Sequence, residues 1–431
     1  VERLIENILK AAEKHGNAEI LVGKQTATDV MFEKNSLSGL NTGTISELQI
    51  RLSKGKKFGF SKTNDLNAWE SCLKNAVSVL KASMPLESEI TIQGKKKYPR
   101  AELYAKKLDY LAEEQLLSSA SGLVEAARNT DKRIHVTQAD VGLTKGETIF
   151  ANSLGVEATE TIGMLTASAE TTVGEVTGSE MRASRDFFDA TDVGKTAAEL
   201  CLTSLEPKQL KTGKVDLLLD YFAFADIVET VLVPAFSAEN VQAKRSVLAG
   251  KLGEQVFSEH ISIEDNSLLR LGLGSRLFDL EGVPGQKTKL VERGVLKDYI
   301  YDRYSAAKAG KESTGNCAGL MKIPLVGPTN FVISPGAYSR EDMLKETKNG
   351  VLAKYAFGTH VANVLTGDIS IGVLNAFYVK NGAIEHPTKQ AMVSFNLFDA
   401  LKHVVLVGKD LRQETSVSAP LVRLENVQII G

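Results

Sequence analysis

The chain has 431 residues, 43% of them apolar and 24% charged, and a formal net charge of −2. That length exceeds one ordinary core, so two or three domains are expected. The near-neutral balance excludes a global field drawing the chain to nucleic acid or an acidic membrane, and the globular composition without low-complexity tracts excludes a disordered chain. Lys54, Lys56 and Lys57, and the run Lys95–Lys97, are local clusters read as solvated faces.

Leu4, Ile5, Ile8, Leu9 and Ala12 recur at helical spacing, giving an amphipathic first helix that ends near Gly16. It does not read as the apolar core of a signal peptide. Alternation then predicts strands over 18–22, 28–32 and 47–52, a turn at Lys54–Lys57 and a return strand through Phe58 and Phe60. A helix follows over 66–82, with Asp65 or Asn67 as caps, and then a connector over 84–100 containing Pro85 and Pro99. The next helix is predicted over 108–129, followed by strands over 134–139, 143–145, 147–152, 156–161 and 163–173. This pattern favours an antiparallel meander over βαβ units. A helix over 188–205 leads to a boundary at Pro207–Gly213.

Beyond it, 215–219 reads as a buried strand, with helices over 221–233 and 238–250. Strands and turns then dominate, including a hairpin over 288–301 turning at Arg293-Gly294 and another turning at Asn381-Gly382. No internal repeat of fixed period is visible. The fold class is α+β. An amino-terminal α/β region with antiparallel strands spans 1–100, a central helix-and-meander region packed with it spans 101–207, and 208–431 carries a curved, mostly antiparallel sheet plus helices. The most apolar stretch, 215–236, contains Asp216, Asp220, Asp226 and Glu229, too many carboxylates for a membrane span. Cys72, Cys201 and Cys317 lie far apart, odd in number and without a CxxC pair. Cys72 and Cys201, on helix patterns, fit small buried residues, Cys317 reads as a nucleophile beside a distant histidine or, more plainly, as structural, and a reducing, cytoplasmic compartment is expected.

Several chemical motifs fail. Gly194-Lys195-Thr196 lacks the earlier glycine of a phosphate loop, which falls on Asp189, and reads as a helix start capped near Asp192. Gly272-x-Gly274 lacks the third glycine of a dinucleotide loop. No G-x-S-x-G elbow is present. The six histidines, at 15, 135, 260, 360, 386 and 403, hold no pair within two helical turns. A catalytic zinc needs about three converging ligands and an open water position.

The most informative stretch runs from Leu271 to Asn316. It holds Gly274-Ser275-Arg276, Phe278-Asp279, Glu281-Gly282-Val283-Pro284-Gly285-Gln286, the hairpin at Gly294, Asp302-Arg303-Tyr304 and Ser313-Thr314-Gly315-Asn316. Thr366-Gly367-Asp368-Ile369-Ser370 and Val407-Gly408-Lys409-Asp410-Leu411 follow. This order resembles the TldD/PmbA family, whose members are linked to metal-dependent peptide cleavage. The family's metal-bearing branch carries an HExxxH helix and a cysteine ligand near the carboxy terminus. Aligned on Lys244-Arg245-Ser246, that helix falls on 222–236, with its histidine positions near Glu229 and Pro234. The carboxy-terminal region offers only Ser416 and Ser418, so the chain resembles the metal-free, TldE-like branch.

The resemblance implies a closed dimer with a metal-bearing TldD-type paralogue, whose zinc cleaves unfolded or extended peptides, this chain binding no metal itself. The residues alone also allow a homodimeric peptide-binding or scaffold protein, or a subunit of a non-peptide C–N hydrolase. No nucleic-acid or membrane partner is expected. Asn240, Lys244, Arg276, Asp279, Arg303, Asn316 and Asp368 are the candidates for lining a cleft or positioning substrate. Arg276 and Arg303 offer planar donors for a carboxylate. The plainer reading has Arg276–Asp279 and Asp302–Arg303 bracing the sheet as ion pairs.

Overall fold

The computed structural model describes residues 1–431. Its amino-terminal half is one six-stranded antiparallel sheet of order β3-β2-β1-β4-β5-β6. The strands are β1 (Asn17–Glu33), β2 (Ser36–Lys54), β3 (Lys57–Thr63), β4 (His135–Asn152), β5 (Glu157–Val173) and β6 (Val176–Ser184). The helices are α1 (Glu2–Ala12), α2 (Trp69–Ala82), α3 (Glu113–Thr130) and α4 (Thr191–Thr203). Even-numbered residues of β1 define the helix-covered face: Ala18, Ile20 and Val22 join the core of α1 and α2, and Val30 and Phe32 join that of α3 and α4. On the opposite face Leu21 and Phe150 meet Phe278 and Leu320 from the carboxy-terminal half.

The element order repeats. Helix–three strands–helix occurs twice, and β1 and β4 pair at the centre so that the two copies run outward in opposite directions. The same device recurs in each copy. A Cβ on Gly59 of β3 would lie 2.1 Å from the Ala76 carbonyl oxygen and 2.3 Å from the Leu80 nitrogen of α2. One on Gly178 of β6 would lie 2.3 Å from both the Ala197 oxygen and the Cys201 nitrogen of α4. The repeat escaped sequence inspection because what it keeps is a glycine facing a small residue and the residue four further on, and many sequences satisfy that.

The short predicted strands fuse. The polar run Gly23–Ala27 lies inside β1, because β2 and β4 hydrogen-bond it on both sides throughout; its half-exposed faces hide the alternation. The segments of β4 and β5 merge likewise, and β6, poor in large apolar residues, was not expected. The helix predicted over 108–129 is a 3₁₀ turn, Lys106–Tyr110, followed by α3. The helix predicted over 188–205 begins at Thr191, whose N–H is held by the Asp189 carboxylate at 3.0 Å rather than by Asp192.

The carboxy-terminal half holds an eleven-stranded, mostly antiparallel sheet. Its strands are β7 (Gly213–Leu219), β8 (Ile263–Asn266), β9 (Lys287–Glu292), β10 (Val295–Leu296), β11 (Phe331–Ile333), β12 (Asn349–Phe357), β13 (Asp368–Lys380), β14 (Ala383–Pro387), β15 (Ala391–Asn396), β16 (Val407–Gln413) and β17 (Val417–Ile430). The path β17-β15-β13-β12-β7 closes because β17 also pairs with β7, giving a barrel-like ring. Leu217 and Leu219 point into the main core, while Leu218 joins a second cluster with Met343 on the other side. Asn381 and Gly382, at φ 49° and 86°, form the hairpin turn between β13 and β14.

The central helical segment begins as α5 (Tyr221–Ile227), widens to a π turn over Val228–Leu232 and ends as α6 (Val233–Phe236). Pro234 cannot donate a backbone bond, yet the helix continues through it. The widening upstream lets Val233 N–H reach the Val228 carbonyl five residues back. Phe224, Ile227, Val228, Val231 and Leu232 are wholly buried in the main core, each contributing about 1.5–3 kcal/mol of apolar burial. The helix predicted over 238–250 is only α7 (Ala238–Gln242), ending before Lys244 at φ 56°. The hairpin's predicted return strand over 295–301 is just β10. The remaining short helices are α8 (Arg303–Lys308), α9 (Arg340–Lys345) and α10 (Leu397–Lys402).

Candidate functional site

Four of the seven sequence-derived candidates gather where the carboxy-terminal half meets the open face of the six-stranded sheet. Asp279 is fully buried, and its carboxylate accepts N–H bonds from Glu281 and Val283 at 2.9 Å and from Cys317 at 3.0 Å. Asn316, also fully buried, donates to Asp265 at 2.8 Å and to the Gly327 carbonyl at 3.0 Å. Arg276 reaches the Cys317 carbonyl at 3.4 Å. Arg303 pairs with Glu19 of β1 at 3.0 Å, and its backbone N–H donates to Glu281 at 3.1 Å.

The expected Arg276–Asp279 and Asp302–Arg303 ion pairs are therefore not made. Asp302 instead caps α8, accepting the Ser305 N–H at 2.7 Å. With no exposed surface, Asp279 and Asn316 brace this junction rather than face a cleft.

At its centre lies Arg51 of β2, 1% exposed, 2.6 Å from Glu19 and 2.7 Å from Glu281. Burial opposes its charge, but Glu19 and Glu281 override it and push the Arg51 pKa up. Burial likewise works against the Glu281 carboxylate, yet Arg51 and Arg303 hold it below its ordinary range. Asp279 moves the other way: burial, reinforced by the Glu281 charge, raises it. Cys317 is buried beside these acids and its thiol is pushed well up, the opposite of an activated nucleophile. Glu19 and Arg51 were missed by sequence reasoning. Their signal was a charged residue between Ala18 and Ile20, and another between Ile50 and Leu52, on strands whose opposite face is core.

The other three candidates lie elsewhere. Asn240 donates to the Pro234 carbonyl at 2.9 Å, holding the end of α6. Lys244 is exposed. Asp368 is exposed and bonded to Thr366 at 2.6 Å and Asn396 at 3.0 Å, closing the turn before β13.

The second arrangement surrounds the π turn. Residues five apart, at opposite angles in an ordinary helix, come toward one side when the turn closes at i→i+5. Glu229 lies within this turn, and its carboxylate accepts the Ser416 hydroxyl at 3.3 Å. Asp226, one turn earlier, accepts the Thr359 hydroxyl at 2.9 Å; burial, then the Glu229 charge, raises its pKa.

Beside them opens a pocket of about 220 Å³ walled by Tyr221, Phe222, Tyr355, Met181 and Arg412. Arg412 stacks over Phe222 at 4.5 Å and pairs with the buried Glu180 at 2.5 Å, which also holds Lys354 at 2.5 Å. This polar set ties β6 to the carboxy-terminal ring. Nowhere in the chain do three His, Cys, Asp or Glu side chains converge as a metal cage.

Comparison with known proteins decides the lineage. Family models match three consecutive stretches: PmbA/TldA metallopeptidase domain 1 over residues 18–80, the central domain over 106–205 and the C-terminal domain over 212–431. The chain belongs to the PmbA/TldD family. It is 34% identical over 423 residues to an uncharacterized protein of Methanocaldococcus jannaschii, covering 97% of this chain and 98% of that one. It is 26% identical to metalloprotease PmbA of Escherichia coli O157:H7, covering 100% and 96%. Among solved structures, TldE from Thermococcus kodakarensis superposes with a TM-score of 0.91 at 25% identity, covering 99% and 100%.

The Glu229–Ser416 contact joins the π turn to the segment between β16 and β17. No helix of the chain is long and apolar enough to cross a membrane.

Proposed function

We propose that this chain is the metal-free member of a two-chain, cytoplasmic zinc peptidase of the TldD/TldE type, acting on unfolded or extended peptides. The observation that supports the reading is the Glu229–Ser416 hydrogen bond. By resemblance to the metal-bearing branch, Glu229 stands near one of its histidine positions and Ser416 in the region of its cysteine ligand, and here these two side chains bond to one another. Zinc in the partner supplies Lewis acidity and activated water when bound. This chain's share is to wall the chamber, exclude folded substrates and hold extended peptide in place. The neighbouring aromatic pocket has room for a single side chain.

Affinity capture of the tagged chain from its native host, with mass spectrometry of what comes with it, tests the reading. A paralogue bearing HExxxH is the expected partner. Recovery of the chain only with copies of itself favours the homodimeric binding protein. A metal-bearing partner whose complex cleaves non-peptide C–N bonds favours the third reading.

A further inference from the structure

We propose that the pocket beside the π turn is a subsite for one basic side chain, lysine or arginine, of an extended peptide. The inference rests on the reading that this chain holds extended peptide, and adds which residue of that peptide it selects. At about 220 Å³ the pocket falls below the roughly 300–1,000 Å³ of sites for drug-sized ligands, and fits one side chain.

Its walls are rigid and aromatic. Tyr221 and Phe222 at the start of α5 lie with ring centroids 5.2 Å apart, and Tyr355 of β12 continues the wall 5.0 Å from Phe222. Both hydroxyls are committed: Tyr355 donates to the Ser179 carbonyl at 2.7 Å, and Tyr221 accepts from Arg412 at 3.0 Å. What these residues turn to the pocket is therefore ring surface, suited to the aliphatic stem of a long side chain. The same rings already hold a cation, since the Arg412 guanidinium stands 4.5 Å from the Phe222 centroid and 5.0 Å from that of Tyr221.

Charge identifies the occupant. The lining holds three carboxylates, Asp226, Glu229 and Glu414, against the single guanidinium of Arg412. Arg412 is spent on Glu180 and Glu414, and the nearby Lys354 on Glu180. Asp226 and Glu229 are left without a cation. Both reach solvent, and each accepts a hydroxyl bond, from Thr359 and Ser416 respectively. His360 stands near Asp226 but is exposed and makes no ion pair with it. Burial and the Glu229 charge together raise the Asp226 pKa, and a bound cation relieves that repulsion. An acidic side chain would be opposed here, and an apolar one would leave the two carboxylates unanswered. A lysine or arginine lays its stem on the rings and carries its charge to both.

The experiment measures fluorescence anisotropy of a blocked Gly/Ser peptide carrying a neutral dye and one central guest: lysine, arginine, norleucine or glutamate. Norleucine keeps the stem of lysine and drops its amine. Lysine and arginine are expected to bind the purified chain about tenfold tighter than norleucine, with glutamate weakest. Asp226→Asn with Glu229→Gln keeps an oxygen for Thr359 and Ser416 but removes both charges, and is expected to bring lysine down to norleucine. Ala225→Leu fills the pocket without touching a charge and is expected to abolish the preference. Equal binding of lysine and norleucine, or a preference that survives either variant, overturns the subsite while leaving peptide holding in place. If the chain alone binds none of the guests, they are compared as substrates of its mixture with the captured partner. Cleavage there without a lysine preference, or with one that survives the variants, overturns the subsite alone. Cleavage of no guest overturns the subsite and the peptidase reading together. Far-UV circular dichroism of each variant separates lost binding from lost folding.

Discussion

Replacing Arg51 with methionine removes one cation from the junction and leaves two carboxylates behind. Glu19 keeps Arg303 at 3.0 Å, and Glu281 keeps only the Arg303 backbone N–H at 3.1 Å. Both acids are nearly inaccessible, at 1% and 3% exposure. Breaking a buried pair from one side strands a charge at about 3–5 kcal/mol, and here one deletion disturbs two pairs. The expected loss at pH 7 is therefore at the upper end of that range. Trp69, the single tryptophan, sits on α2, so its fluorescence in urea follows the first repeat while circular dichroism follows the whole chain.

The pH dependence carries the sharper test. In the native protein Glu281 has a depressed pKa. Its contribution is present above its unfolded value and is lost as pH falls through the folded one. Without Arg51, burial raises the carboxylate instead, so the variant gains stability as pH falls and the two curves converge in acid. Arg51→Met with Glu281→Gln, which leaves the Glu19–Arg303 pair in place, should recover much of the loss. A single variant that loses less than about 1 kcal/mol, or whose deficit does not change with pH, refutes the reasoning.

Gly59→Ala and Gly178→Ala should each cost about 1–3 kcal/mol in thermal denaturation, because the new methyl meets helix backbone at 2.1–2.3 Å, whereas Gly23→Ala, with open space around it, should cost far less. Asp279 is raised by burial and by Glu281, so it favours folding at pH below its unfolded value and progressively less as pH rises through the folded one. Asp279→Asn should flatten that part of the profile, its deficit being smaller at pH 8 than at pH 5 in urea titrations. Zinc added to the purified chain should leave its melting temperature unchanged. A site saturated at 100 times its Kd would add about 2.7 kcal/mol, a shift easily seen.

What could be read from the sequence was set by local pattern. The Asn381-Gly382 turn, the buried strand near 215–219 and the α+β class follow from alternation and turn chemistry that neighbouring residues supply. The fused strands were hidden because Gly23–Ala27 is polar, and pairing from both sides, not side-chain burial, keeps it extended. The closure of β17 onto β7 depends on residues some two hundred positions apart and leaves no local trace. For the same reason Arg303 was singled out while its partner Glu19, nearly the length of the chain away, was not. The helix through Pro234 defied the simple rule, since a π turn absorbs the missing donor.

Reconstitution tests the peptidase role most directly. The chain and the HExxxH-bearing partner captured with it are purified separately and mixed. Zinc is counted in each sample, and cleavage of an unstructured peptide is followed. Cleavage only by the mixture, with about one zinc per pair and none on this chain, is the predicted result. Full cleavage by the partner alone, or cleavage by this chain alone, contradicts it.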